Sequence, residues 1–290
     1  MWCFRASRIW HCEFGLRNRQ TSCQNDNNNT GSLPIYIERQ RSHSSLSFLR
    51  SVSLEHNNIF DKLMEFKRVA LDTCSEATGP VVVIDVLRAF TCAAFAFAAG
   101  AEEIILVQET AEAFALQQEI PGVLLMGEVD GFPIEGFNYG NSPSALMNLD
   151  LSGHHFIQRT SRGTSGVVRS TRADMILTSS FCCAKATVNY ILDHAPDTVT
   201  FVITGLSENG MGDEDVACAD YLETLLQGHQ PAPEPFLTRV RESVIGQLLL
   251  NPSYPELPAE DLPCCTDLDR FDFAMRVRRK NGLLVMKPAQ

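Results

Sequence analysis

The stretch VVVIDVLRAFT, residues 81–91, decides the fold. Val81 to Ile84 is a β-branched run without alternation, which reads as a strand buried on both faces, as in a parallel sheet. Leu87 to Ala99 follows as a helix apolar on all sides except at Arg88, and Gly100 closes it. Working outward, the same alternation recurs. Strands are predicted at Glu103–Val107, Val123–Met126, Phe156–Gln158, Met175–Leu177 and Thr198–Ile203. Helices are predicted at Thr110–Gln118 with Thr110 as N-cap, Phe181–Asp193, Asp213–Leu226 and Glu234–Leu250. Gly127–Pro143 and Pro252–Pro263 read as loops. Phe273–Arg278 and Leu283–Met286 flank Asn281-Gly282 and read as a closing C-terminal hairpin. The pattern predicts an α/β fold: a layered α/β/α arrangement around a mostly parallel sheet, with a division into two subdomains left open.

Composition narrows the function. The formal net charge of −11 over 290 residues argues against nucleic acid as the main partner, because a phosphate-backbone binder needs a basic face. A small anionic substrate remains compatible, since local arginines and a metal offset a global negative field. No apolar stretch reaches the length of about 18 residues needed to span a membrane. Among the ten cysteines there are two adjacent pairs but no CxxC pair and no Cys/His spacing of zinc type. Buried, reduced thiols and a cytoplasmic location are the expectation.

Residues 1–63 differ from the rest. They carry three more basic than acidic residues, an Asn tract at Gln24–Thr30 and a Ser-rich stretch at Ser42–Ser53, with weak apolar periodicity. A disordered or non-homologous extension is expected there, with the catalytic domain at 64–290. An Arg- and Ser-rich targeting peptide is the competing reading, weakened by scattered acids.

Open α/β sheets bind ligands at the C-terminal ends of their strands. Asp85 is the first polar residue after the first strand. It can cap the next helix or hold a metal, and Arg88 can pair with it or hold an anion. Glu128 stands at another strand end. In GFNYGNSP, residues 136–143, Asn141 and Ser142 precede Pro143 at a helix start. IQRTSRGTSG, residues 157–166, interleaves Arg159, Thr160, Ser161, Arg162, Gly163 and Thr164, which together suit a phosphate or sulfonate. Ser179 and Ser180 follow a strand, and Glu214 and Asp215 open a helix, as dipole partners or as acid/base carboxylates. Asp267-Leu268-Asp269 follows a Pro-rich loop and not an apolar strand, so it is discounted as a phosphatase aspartate pair. His11-Cys12 with Arg17 is one residue short of a tyrosine-phosphatase loop. Cys182-Cys183 heads a helix but reads as core.

Taken in order, VVVIDVLRA, Gly127-Glu128, GFNYGNSP, RTSRGT, TSSF and EDVACADYL resemble the successive motifs of the 2-phosphosulfolactate phosphatase family, over roughly residues 64–290. The resemblance implies a magnesium-dependent phosphatase that converts 2-phospho-3-sulfolactate to 3-sulfolactate, a step of coenzyme M biosynthesis, and it leaves a homo-oligomer open. Asp85 and Glu128 are then the expected metal carboxylates. Arg88, Arg159 and residues 160–164 are expected to hold the anionic groups, and Glu214 or Asp215 to act as general acid or base. Two departures touch the substrate: Val129 stands where the family often has Arg, and Arg162 replaces Asn. Phosphate monoester hydrolysis needs up to ~10²¹-fold acceleration, roughly 28 kcal/mol. One placed donor gives about 3–4 kcal/mol, so several donors and a cation are required. The alternative is a non-catalytic binding module for an anionic metabolite. An isomerase or aldolase would call for a Lys or His in these loops, and His154, His155 and Lys185 read as structural.

Overall fold

The structure, a computed structural model, describes residues 64–205 and 211–290. The extension expected at 1–63, and His11-Cys12 within it, lie outside the described residues. The chain runs β1 (Glu65–Ala70), β2 (Gly79–Ile84), α1 (Ala89–Ala98), β3 (Glu103–Val107), α2 (Thr110–Glu119), β4 (Leu124–Val129), β5 (Phe132–Pro133), α3 (Pro143–Leu146), β6 (His155–Arg159) and α4 (Gly163–Arg169). It continues through β7 (Ala173–Ser179), α5 (Ala184–His194), β8 (Thr198–Ile203), α6 (Asp213–Leu226), α7 (Glu234–Glu242), α8 (Val244–Leu249), α9 (Asp261–Cys265), β9 (Ala274–Lys280) and β10 (Leu283–Ala289).

These strands form one open sheet in the order β1-β8-β2-β7-β9-β10-β3-β6-β4-β5. β1, β8, β2 and β7 are mutually parallel, as are β3, β6 and β4. The hairpin β9–β10 is antiparallel within itself and to both neighbours, β7 and β3. The expected hairpin therefore exists, but it joins the two parallel sets in the middle of the sheet and does not close an edge. It also makes the sheet continuous across the place where two subdomains had been left open. Asn281 and Gly282 both have positive φ (52° and 82°), which the tight two-residue turn requires.

Burial follows the pattern of the quoted stretch. Val81 and Val83 face α1, whose Ala89 to Phe97 are all buried. Val82 and Ile84 face the opposite side, with Phe181, Ile191 and Leu222 beneath α5 and α6. α2 covers β3, β4 and β6 on that second side through Ala113, with Phe114 packed against the cluster. Helices thus lie on both faces of the sheet.

Several local expectations are corrected. β1 was not predicted. α4 replaces a loop. Thr110 is the first helical residue and not the cap, with extended Glu109 before it. The single helix at 234–250 is two helices, because extended Ser243 accepts the Gly246 N–H and starts α8 afresh. α9 begins inside the expected 252–263 loop. All seven described cysteines are buried and free. Among the described residues no helix is long and apolar enough to cross a membrane.

Candidate active site

The ends of β2, β8, β4 and β6 converge on one cavity of about 390 Å³. The two parallel sets run in opposite senses across the hairpin. The C-terminal ends of strands from both sets nonetheless border this cavity. Of the sequence candidates, Asp85, Arg88, Glu128, Asn141, Ser161, Arg162, Glu214 and Asp215 line this cavity. Ser142, Arg159, Thr160, Gly163, Thr164, Ser179 and Ser180 are not part of its lining.

Asp85 caps a helix and also lines the cavity. Its Oδ1 accepts the Ala89 N–H at 2.9 Å and starts α1, while the buried side chain borders the cavity. Burial pushes its pKa up to about 6, with Glu128 and Glu214 adding to the rise and the Ala89 N–H and Arg162 opposing it. Glu128 is positioned by main chain: Oε1 accepts the Ser161 N–H at 2.6 Å and Oε2 accepts the Gly131 N–H. Asp215 is a clamp. It accepts the Val86 and Gly205 N–H groups, each at 2.8 Å, and the Thr204 hydroxyl at 3.2 Å, tying the end of β2 to the end of β8. Burial and the neighbouring Glu214 and Asp85 push its pKa well up. Glu214 is raised mainly by burial, against opposition that includes Arg162, and its buried Oε2 has no hydrogen-bond partner. Asn141 Oδ1 is likewise buried and unpartnered.

The arginines are distributed differently from expectation. Arg88 borders the cavity, but its Nη1 donates to Asp261 Oδ2 at 2.7 Å, a buried ion pair with Asp261 and not with Asp85. Asp261 Oδ1 also accepts the hydroxyls of Ser142 and Ser144, at 2.7 and 2.6 Å, and the Ser144 N–H at 3.0 Å. Ser142 is thereby committed to this junction. Arg159 donates to the main-chain oxygens of Gln108 (3.0 Å) and Glu128 (2.7 Å), so its guanidinium fastens loops and does not face the cavity. Arg162 takes that place: it lines the cavity, donates to Thr204 O at 3.2 Å, and has no carboxylate ion partner among the described residues. The alternation of RTSRGT was the available signal, but spacing alone did not say which arginine turns inward.

The remaining candidates have structural duties. Thr160 and Thr164 exchange hydrogen bonds: the Thr164 hydroxyl accepts the Thr160 N–H at 2.8 Å, and the Thr160 hydroxyl accepts the Thr164 N–H at 3.0 Å, fixing the start of α4. The hydroxyls of Ser179 and Ser180 pair with Thr187 and Cys182, fully buried. Gly163 touches the site from outside: a Cβ there would stand 2.8 Å from Asp85 Oδ2 and 2.7 Å from Ala89 Cβ. Val129, the departure expected to weaken anion binding, is 37% exposed and is not part of the cavity lining. Asp269 caps α5 through the Lys185 N–H, and Asp267 pairs with Arg270. Among the described residues, no three or more His, Cys, Asp or Glu side chains form a ready metal cage.

Comparison with known proteins gives the same direction as the ordered motifs. Residues 68–280 match the family model described as 2-phosphosulpholactate phosphatase. The chain is 32% identical over 199 residues to a probable 2-phosphosulfolactate phosphatase of Bacillus subtilis (strain 168), an alignment spanning 68% of this chain and 86% of that protein. A protein of the same name from Carboxydothermus hydrogenoformans is 33% identical over 227 residues, 72% of this chain and 91% of its own length. One from Microcystis aeruginosa is 37% identical over 151 residues, 50% and 61% respectively. The match runs from β1 to β9 and takes in every strand end that borders the cavity, so the chain belongs to the 2-phosphosulpholactate phosphatase family.

Proposed function

We propose that this chain hydrolyses the phosphate monoester of a small 2-hydroxy acid, with Mg²⁺ as cofactor, and that 2-phospho-3-sulfolactate, the substrate class in its relatives' names, is the reference reaction. One observation carries the reading: a single cavity brings together buried carboxylates and Arg162, whose guanidinium has no carboxylate ion partner among the described residues. That pairing of hard oxygen donors with a free anion binder suits phosphoryl transfer. Val129 lies outside the cavity lining, which removes the observation that had favoured a non-catalytic binding module.

The donor set fits magnesium. Mg²⁺ takes one or two carboxylates and completes its shell with water and phosphate oxygens, so no closed protein cage is needed. Asp85 and Glu128 would hold it; Glu214, whose buried Oε2 has no hydrogen-bond partner, lines the same cavity. Bound there, the ion supplies Lewis-acid neutralisation of phosphoryl charge. The protein's own residues do the rest. Arg162 orients the phosphoryl group. Glu214, its pKa raised by burial, is the candidate general acid toward the leaving alcohol oxygen. Asp215 holds the ends of β2 and β8 in register beneath them.

The test is phosphate release by the full chain from 2-phospho-3-sulfolactate and 2-phospholactate, with Mg²⁺ and with EDTA. Metal-dependent release that EDTA abolishes is expected, and absence of release from folded protein overturns the reading. Arg162→Ala is expected to lower kcat/KM by about 10²–10³-fold, the effect of removing one placed donor. Gly163→Ala is expected to displace Asp85. Overpacking costs roughly 1–3 kcal/mol of stability, and a displacement near 1 Å costs about 10²-fold in rate. Steady-state kinetics alongside thermal denaturation separates the two effects.

A further inference from the structure

Asp261, the first residue of α9, is fully buried and is not part of the cavity lining. It nevertheless holds two segments that do line the cavity. One of its oxygens accepts Arg88 Nη1 at 2.7 Å. The other accepts the Ser142 and Ser144 hydroxyls at 2.7 and 2.6 Å and the Ser144 N–H at 3.0 Å. Ser142 directly follows Asn141, so one carboxylate fixes where Arg88 and Asn141 stand relative to each other.

Both of those side chains keep polar groups in hand. Arg88 is 5% exposed, and its guanidinium donates through Nη1 alone, to Asp261 and, at 3.4 Å, to Glu256 O. Among the described residues nothing accepts from its Nε or Nη2. Asn141 is 7% exposed; its side chain makes no hydrogen bond among the described residues, and its Oδ1 is buried without a partner. Buried polar groups are ordinarily paired, and an unpaired one weakens the fold. Two such groups, adjoining one cavity and tied to one buried carboxylate, are explained by a ligand that completes them. The planar Nε–Nη2 edge of a guanidinium held at its other corner presents two parallel donors, the geometry that takes a second oxyanion.

Building on the phosphatase reading, we infer that Arg88 and Asn141 form a second anion subsite, apart from Arg162, which binds the acid group the substrate carries beside its phosphate, and that Asp261 is the positioning residue of that subsite. The acid group is a carboxylate or a sulfonate, which share the same oxyanion chemistry. The ion pair with Asp261 then orients Arg88 for the ligand and does not withdraw it from binding.

The experiment measures kcat/KM of the full chain, Arg88→Lys and Asn141→Leu, with Mg²⁺, for 2-phospholactate and 2-phospho-3-sulfolactate. Beside it stands the inhibition constant of inorganic phosphate, which has no second acid group. Lys keeps a cation opposite Asp261 without the planar edge, and Leu keeps the shape of Asn without its amide. Each variant is expected to lower kcat/KM by about tenfold or more and to leave phosphate inhibition within about twofold, the loss of one hydrogen bond to a charged group. The melting temperature of Asn141→Leu should be no lower than the parent's, because the amide it removes has no protein partner. A loss with 2-phospholactate assigns the subsite to the carboxylate, and a loss confined to 2-phospho-3-sulfolactate assigns it to the sulfonate. Unchanged kcat/KM for both, or phosphate inhibition that weakens in step, overturns the subsite. Asp261→Asn keeps the shape but not the charge and should give the same split between substrate and phosphate. Ser142→Ala with Ser144→Ala loosens the other side of the junction and serves if Asp261→Asn does not fold. Parental kcat/KM in the folded variant overturns the positioning role. No release by the folded parent overturns the phosphatase reading and the inference with it.

Discussion

Asp85→Asn is expected to reduce turnover by on the order of 10³-fold while making the folded chain more stable at pH 7.5. The loss follows from removing a carboxylate at the end of β2 that borders the cavity. The gain follows from linkage. Burial and the neighbouring Glu128 and Glu214 hold Asp85 at about 6 in the fold, above its ordinary 3.8. Between those two pH values the native state binds more protons than the unfolded chain, so stability falls as pH rises through the interval. Below it no penalty exists, and above it the penalty is complete, up to about 3 kcal/mol. Asn carries no charge at any pH and can still accept the Ala89 N–H. In EDTA, the melting temperature of Asp85→Asn should match the parent near pH 3–4 and exceed it by roughly 6–12 °C above pH 7. A gap that is constant with pH, or reversed, removes this account of Asp85.

Asp261→Ala is expected to be the most damaging single change outside the cavity carboxylates, costing on the order of 3–5 kcal/mol. Arg88 and Asp261 are both buried, at 2.7 Å, with side-chain exposures of 4% and 0%. Removing the carboxylate leaves a guanidinium charge without compensation and strands the Ser142 and Ser144 hydroxyls and the Ser144 N–H. α3, α9 and the start of α1 would lose their common junction. Urea denaturation of the parent, Asp261→Ala, and the double variant Arg88→Met with Asp261→Leu checks the reasoning. The double variant should recover part of the loss, because apolar replacements of similar volume avoid the uncompensated charge. A double variant as unstable as the single one would show that the serine contacts, and not the charge pair, hold the junction.

Where local chemistry was strong, the sequence was readable. β3, β8 and α6 fall at the predicted residues because each combines recurring apolar residues with a clear boundary. The Asn281-Gly282 turn was legible because few other residues tolerate its backbone. β1 was not legible: EFKRVA has two adjacent charges and becomes a strand by pairing with β8 along the sheet edge, where charge is tolerated. α4 was missed because Gly163 and Gly166 are poor helix formers. Tertiary packing overrides propensity there, since a Cβ at Gly166 would meet Val83 at 2.8 Å. At the site, strand ends identified the carboxylates, but hydroxyls and arginines were ambiguous. Arg159 and Arg162 lie three residues apart on either side of a turn, and only the fold aims one at Gln108 and the other into the cavity. Ser179 and Ser180 had the chemistry of an anion site but the surroundings of a core.

The place of the hairpin matters for how the protein is made. A ribosome delivers β7 and β3 long before residues 274–289, so during synthesis both parallel sets wait with an inner edge unpaired, each an invitation to another chain. The last strands to appear form the seam that covers both edges at once. Vectorial synthesis thus places the riskiest interval late, and truncation ahead of residue 274 would remove the strands that join the two parallel sets into one sheet.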